Sequence, residues 1–277
     1  MRSAFSLTEA ERARRCDLLI RATTVPEPTR LTEAGLRLLL AAATAPQVPE
    51  TLPEQLRPQL QRLITAGLVG SDGRLMPEAA NVAEVMRRPA IWLQIEAVAG
   101  QQPPTWKAWL GDRLAVIAAQ PRGADEYRLL TAVPGWVPVA AVQWLDIGPR
   151  TTPAGHPALP MTTLLRWLDE PDTPLPGDDP LLAKIWAQPA QLWAIEVEPG
   201  DGRALVLDAA EAGLWLVRAD EDLVTADGDE EGADGAVLLP LPPQAFWRML
   251  LTFIARATKA AAMTPVKTPA SGNDGLL

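Results

Sequence analysis

Cysteine and histidine are nearly absent from this sequence, with one of each, Cys16 and His156. A single cysteine excludes an internal disulfide framework. One cysteine and one histidine cannot complete a Cys/His zinc site. Cys16 has no histidine near it in sequence, and a small residue on a helix is more often packed than reactive. His156 lies in Ala154-Gly155-His156-Pro157, where an imidazole is solvated rather than held against a substrate proton. Basic charge is also scarce. There are 25 Lys and Arg against 34 Asp and Glu, a formal net charge of -9. That balance argues against nucleic acid as a partner, because phosphate binders concentrate Lys and Arg. No run approaches the roughly 18 apolar residues of a membrane span. The stretch MRSAFSLTEAERARR lacks the apolar core of a signal peptide, so the expected location is the cytoplasm. No Gly-rich phosphate loop follows a strand. Asp178-Asp179 and Asp229-Glu230-Glu231 lack calcium-loop spacing. The sequence therefore predicts no cofactor, no metal and no catalytic residue.

What is present is proline, tryptophan and a repeat. The 28 prolines demand many short elements. Ten tryptophans stand against one tyrosine and three phenylalanines, and most fall on apolar faces that should be core. The stretch RRPAIWLQIEAVAG at Arg87 to Gly100 returns as AQPAQLWAIEVEPG at Ala187 to Gly200. Pro89, Ala90, Ile95, Glu96 and Gly100 meet Pro189, Ala190, Ile195, Glu196 and Gly200. Leu114 to Ile117 then meets Leu214 to Val217 without an insertion. Such spacing predicts two copies of one unit folded against each other.

Taken in order, Ser6-x-x-Glu9 predicts a helix starting near Leu7, stopped by Pro26 and Pro28. Leu36, Leu39, Leu40 and Ala43 form one helical stripe. Leu60, Leu63 and Ile64 mark the next helix, ended by Gly67-Leu68. The turn Ser71-Asp72-Gly73 between Leu68-Val69 and Leu75 predicts a small hairpin or wing, and Pro77 the first turn of a third helix. Ile91, Leu93, Ile95 and Ala97 alternate with Trp92, Gln94, Glu96 and Val98, which is a strand with one apolar face. Strands are also expected over 113–119, 126–132, 203–208, 213–219 and 237–239. Val137 to Leu145, Met161 to Asp169, Leu181 to Ala187 and a long segment from Pro242 or Pro243 read as helices. Short strand pairs with short turns imply α+β, a mostly antiparallel central sheet with flanking helices and two pseudo-symmetric repeats. The expected division is residues 1–148 for the N-terminal helices and first repeat, 149–160 for a linker, 161–262 for the second repeat, and 263–277 for a disordered tail. The two halves form one unit. If they share a sheet, helices from each half should cover that half's own strands.

The candidate partner-binding residues are Trp106 and Trp109, and an acidic stretch. The tryptophans lie in Gln101 to Leu110, read as a loop or edge strand. Aromatics so placed can anchor an interface. The stretch 220–234 holds Asp220, Asp222, Asp229, Glu230 and Glu231 among its acids and has no Lys or Arg. It reads as a solvated loop or as a docking loop for a basic partner. Two other functions stay open. Glu96 and Glu196 could form a hydrolytic pair. The helices of 31–66 and the following wing outline a winged-helix regulator, although the recognition helix would offer only Arg57 and Arg62.

The segment Leu60 to Arg88, with Gly67-Leu68-Val69, Asp72-Gly73-Arg74 and Pro77, resembles the early part of the EspG family. So do the apolar strand after Arg88-Pro89 and the late Leu239-Pro240-Leu241-Pro242-Pro243 with Phe246-Trp247. The resemblance covers most of residues 31 to 258. EspG proteins are actinobacterial chaperones associated with type VII (ESX) secretion. The resemblance implies a mixed fold with pseudo-twofold halves and no catalytic residues. It also implies cytosolic binding of a PE–PPE-like heterodimer or related helical hairpin, whose apolar tip is gripped through the central sheet and C-terminal helices and kept soluble. A homodimer is left open.

Overall fold

The structure is a computed structural model and describes residues 29–44, 53–99, 103–121, 123–148, 152–220 and 235–263. The helix expected from Leu7, Cys16, the tail from 264, and Asp222, Asp229, Glu230 and Glu231 lie outside these residues.

Ten strands form one antiparallel sheet. In chain order they are β1 (Thr29–Leu31), β2 (Ile91–Ala97), β3 (Thr105–Leu110), β4 (Ala115–Ala119), β5 (Tyr127–Ala132), β6 (Ala158–Pro160), β7 (Gln191–Glu198), β8 (Gly202–Asp208), β9 (Leu214–Asp220) and β10 (Gly235–Pro240). Their spatial order is β1-β5-β4-β3-β2-β7-β8-β9-β10-β6. Each half thus supplies a three-residue edge strand, then helices, then a four-strand meander whose first strand is central. The halves meet where β2 pairs with β7, in a register that sets Ile95 opposite Ile195. Around that pair, Gln94 faces Glu196 and Glu96 faces Ala194. The equivalent positions of the two stretches are therefore related by a local twofold through Ile95 and Ile195. The edges are blunted by shortness, and on β6 also by Pro160, which cannot donate to a further strand.

Seven helices flank the sheet among the described residues. These are α1 (Glu33–Thr44), α2 (Arg57–Thr65), α3 (Pro77–Arg87), α4 (Val137–Trp144), α5 (Met161–Asp169), α6 (Pro180–Trp186) and α7 (Pro243–Met263). Local chemistry sets their ends. Thr32 Oγ1 accepts from the Gly35 amide at 3.1 Å and caps α1. After α2, Gly67 takes φ 69°, the Gly67 amide donates to Ile64 O and the Leu68 amide to Leu63 O. This is the paired bond pattern of a glycine C-cap. Asp179 Oδ1 accepts from the amides of Leu181 and Leu182 at the start of α6. Proline opens α3, α6 and α7, where no amide is needed. No helix is long and apolar enough to cross a membrane among the described residues.

Strand alternation sorts the core onto two faces. The first face carries Ile91, Leu93, Ile95, Trp106, Ile117, Trp193, Ile195 and Val197 under α4 and α7. The second face carries two separate clusters. At one side, α1 to α3 pack on Trp109, Val116, Ala118, Tyr127 and Leu129. At the other, α5 and α6 pack on Leu192, Leu207, Trp215, Val217 and Leu238.

On the second face helix cover follows the halves as expected, but on the first face it does not. The C-terminal α7 lies across β2 as well as β7 and β8. Trp144 of α4 meets Trp193 of β7 edge-to-face, with centroids 5.3 Å apart. A 21-residue helix spans about 31 Å at 1.5 Å per residue, further than one half-sheet is wide. Two other placements are corrected. Gln101 to Leu110 does not end as a loop, because β3 runs from Thr105 inside the sheet. The end of the 149–160 stretch is strand β6.

Candidate functional site

The apolar core is closed by α4 and α7 over most of the first face, but not at one end. There α7 overhangs the start of β2 and the β3–β4 turn, leaving a groove of about 540 Å³. Ile91 and Leu110 form its sheet side, Pro134 and Pro138 one wall, and Leu251 and Ile254 of α7 the other. Asp112 is the charged residue lining it. Leu251, one of five large apolar side chains exposed among the described residues, is 42% exposed and lines the groove. An apolar groove with exposed apolar rims marks a contact surface, because water is a poor neighbour for it.

A second concavity of about 480 Å³ is lined by strand residues of β7, β8 and β9, among them Ala194, Glu196, Arg203, Leu205 and Val217. One cross-strand row runs Lys107, Gln94, Glu196, Arg203. Glu196 accepts from Arg203 at 2.8 Å. Lys107 meets Glu33 of α1 at 3.3 Å and sits over the Tyr127 ring, 5.5 Å from its centroid. Burial alone works against the charged form of Glu33. The Lys107 charge and hydrogen bonds from Lys107, Tyr127 and Arg37 outweigh it and hold the carboxyl below its ordinary value. Burial, and then the neighbouring Glu33 carboxylate, pushes the Tyr127 phenol up to about 12.

The residues singled out in the sequence fare differently. Glu96 and Glu196 do point the same way, at diagonal positions on adjacent strands of this second face. Each has its own contact: Gln94 Nε2 donates to Glu96 Oε2 at 2.5 Å, and Glu196 holds Arg203. Only Glu196 lines the concavity, which is open rather than enclosing, so it does not exclude water as a hydrolytic cleft would. Trp106 and Trp109 are buried on opposite faces of β3, at 1% and 8% exposure. An interior strand leaves them no route to a partner, which corrects their reading as anchors on a loop or edge strand. Asp220 ends β9, paired by its backbone with Gly235. The winged-helix outline exists locally, with Val69 bridged to Leu75. Its helices are occupied with the sheet, however, and Arg62 is paired with Glu126. No group of three or more His, Cys, Asp or Glu among the described residues could hold a metal ion.

The α7 groove escaped the sequence reading because its lining comes from four separated segments. The signal available was the long apolar face of the last helix, which continues past the residues its own half can cover.

No protein-family model matches the sequence, and no curated protein matches it. By structure the chain is similar to the Mycobacterium tuberculosis type VII secretion system chaperone EspG5 in complex with a PE25–PPE41 dimer, with a TM-score of 0.47 and 9% identity, covering 81% of this chain and 95% of that chain.

Proposed function

We propose that this protein is a cytosolic, non-enzymatic chaperone that seats an apolar helical tip of a type VII secretion substrate in the α7 groove. The observation that carries this reading is the open groove between Ile91, Leu110, Leu251 and Ile254, with Leu251 exposed in its wall. The substrate class rests on the resemblance of residues 60–88 and 239–247 to EspG proteins. It is a PE–PPE-like heterodimer or another helical hairpin. Covering the groove would keep such a tip from self-association, and the acidic balance of the chaperone keeps the assembly soluble.

Co-expression with a PE–PPE-like heterodimer should give a stable assembly with one copy of each chain, read by size-exclusion chromatography with light scattering. Full burial of a leucine side chain is worth about 1.5–3 kcal/mol. Leu251 still exposes 42% of its surface, so Leu251→Ala should weaken binding by about 1 kcal/mol, or roughly fivefold. Leu251→Asp, which would bury an unpaired carboxylate, should abolish it. Absence of assembly with every helical-hairpin substrate tried, or full binding by Leu251→Asp, would sink the proposal.

A further inference from the structure

The α7 groove, proposed above as the substrate seat, has walls of opposite charge. Resting on that reading, we propose that the apolar tip it takes is flanked by charges of opposite sign: a lysine or arginine that meets Asp112, and an acidic side that lies over Arg248 and Lys259 of α7.

The wall on the sheet side is acidic. The chain turns from β3 to β4 through residues 111–114, with the Gly111 amide donating to Leu114 O at 2.8 Å. That turn sets Asp112 on the groove lining, whereas Arg113 is not part of it. Asp112 is exposed and has no ion-pair partner among the described residues. A carboxylate beside Ile91, Leu110 and Pro134 loses water when an apolar body closes over it. A lysine or arginine on that body restores what was lost, and a neutral or acidic side chain does not.

The wall formed by α7 is basic on its outer side. This helix holds Arg248, Arg256 and Lys259 and no acid, in a chain of formal net charge -9. Residues three apart on a helix are surface neighbours. Arg248 stands in that relation to Leu251, and Lys259 to Ala262, and both of those neighbours line the groove. Arg248 and Lys259 are separated by about three full turns, so they fall on one line along the helix, roughly 16 Å long. Both are exposed, and neither has a carboxylate partner among the described residues. Arg256 is about 140° round from Leu251 and faces away from the groove. An occupant that rests on Leu251 therefore brings its outer flank over two cations. Because the chain as a whole repels acids, this row also sets how the tip is turned as it enters.

Three stapled peptides of about 18 residues, long enough for a stable helix, supply the test. They share one leucine-rich stripe and differ in its flanks: lysine on one side and glutamate on the other, lysine on both, or glutamate on both. Fluorescence anisotropy with the full chain should rank the mixed peptide first, by roughly threefold or more, the scale of a few exposed ion pairs. The preference should vanish near 1 M salt, where the Debye length is about 3 Å, while binding itself persists. Asp112→Lys makes both walls basic and should move the preference to the double-glutamate peptide. Arg248→Glu with Lys259→Glu makes both walls acidic and should move it to the double-lysine peptide. These side chains are exposed, so the variants should keep the parental urea midpoint. Equal binding of the three peptides, binding of none, or one ranking in every variant overturns the inference. Self-association of the chain that the mixed peptide displaces also overturns it, in favour of a second copy as occupant. Leu251→Asp separates the two claims, because it should abolish binding of every peptide whatever its charges. If it does so while the charge variants change nothing, the groove stands and its charge rule falls; if every peptide still binds, the groove reading itself falls.

Discussion

Replacing Gly202 with alanine measures how closely α7 sits on the sheet, and therefore how firmly the groove wall is placed. Gly202 opens β8 and is buried. A Cβ there would stand 3.0 Å from the Val197 Cβ and 3.3 Å from the Cβ and Cγ of Phe253 on α7. Two effects oppose each other. Alanine restricts the unfolded chain and suits a strand better than glycine, which favours folding by about 0.5–1 kcal/mol. The new contacts fall inside the ~3.5–4.0 Å optimum for carbon pairs. Neither neighbour can swing away, because both present atoms fixed close to their backbones. Overpacking of this kind costs about 1–3 kcal/mol. The steric effect is the larger, so Gly202→Ala should destabilise by about 1–2 kcal/mol. In urea unfolding the midpoint should fall with the slope unchanged. Phe253→Ala in the same chain should show a coupling of at least about 0.5 kcal/mol, since both changes act at one contact. A Gly202→Ala protein as stable as the parent would refute the reasoning, because α7 could not then lie against β8 as described.

Two further outcomes follow from local chemistry. The Tyr127 phenol is raised from 10.0 to about 12 in the fold, so its neutral form is the stabilised one. That stability is fully present below pH 10 and is lost as pH rises towards 12. Tyr127→Phe should remove this alkaline slope from thermal unfolding curves, and an unaltered slope would refute the burial of the phenol beside Glu33. Asp179→Ala removes the side-chain oxygen that accepts from the Leu181 and Leu182 amides. It should cost about 0.5–2 kcal/mol in chemical denaturation, whereas Asp179→Asn should lose little.

Much of the architecture can be read before folding because the signals are local. The alternation at Ile91 to Ala97, the glycine after Thr65 and the proline at the head of α3 each act within a few residues. The repeat adds one long-range fact, and the register of Ile95 on Ile195 gives it a geometric meaning. Strand β3 was harder. Its sequence TWKAWL places two tryptophans and a lysine where an exposed segment was expected. Burial on both sides makes the difference, since Trp106 goes under α4 and α7 while Trp109 goes under the N-terminal helices. Period-two alternation marks a strand with one wet face and is lost when both faces are covered. Strands β1 and β6 are three residues each, too short for periodicity, and exist because longer neighbours offer them an edge.

The candidate sites arise where the two halves cease to match. A repeated unit alone would place equivalent helices over equivalent strands and leave equivalent surfaces. Here α4 has 8 residues and α7 has 21, or about 12 Å against about 31 Å of helix. The shorter helix ends on its own strands and on Trp193. The longer one crosses the seam to β2, and its last turns run beyond the sheet to face Pro134 and Pro138. The overhang makes one wall of the groove and leaves Leu251 partly bare. On the other face, α1 to α3 and the shorter pair α5 and α6 stop short of each other and expose the seam. There the repeat does leave matched residues, Glu96 and Glu196, and their surroundings separate them. Arg203 lies across from Glu196, whereas across β3 Glu96 has Thr105. Thr105 brings no charge to Glu96, so the repeat preserves the two carboxylates without preserving the Glu196–Arg203 ion pair.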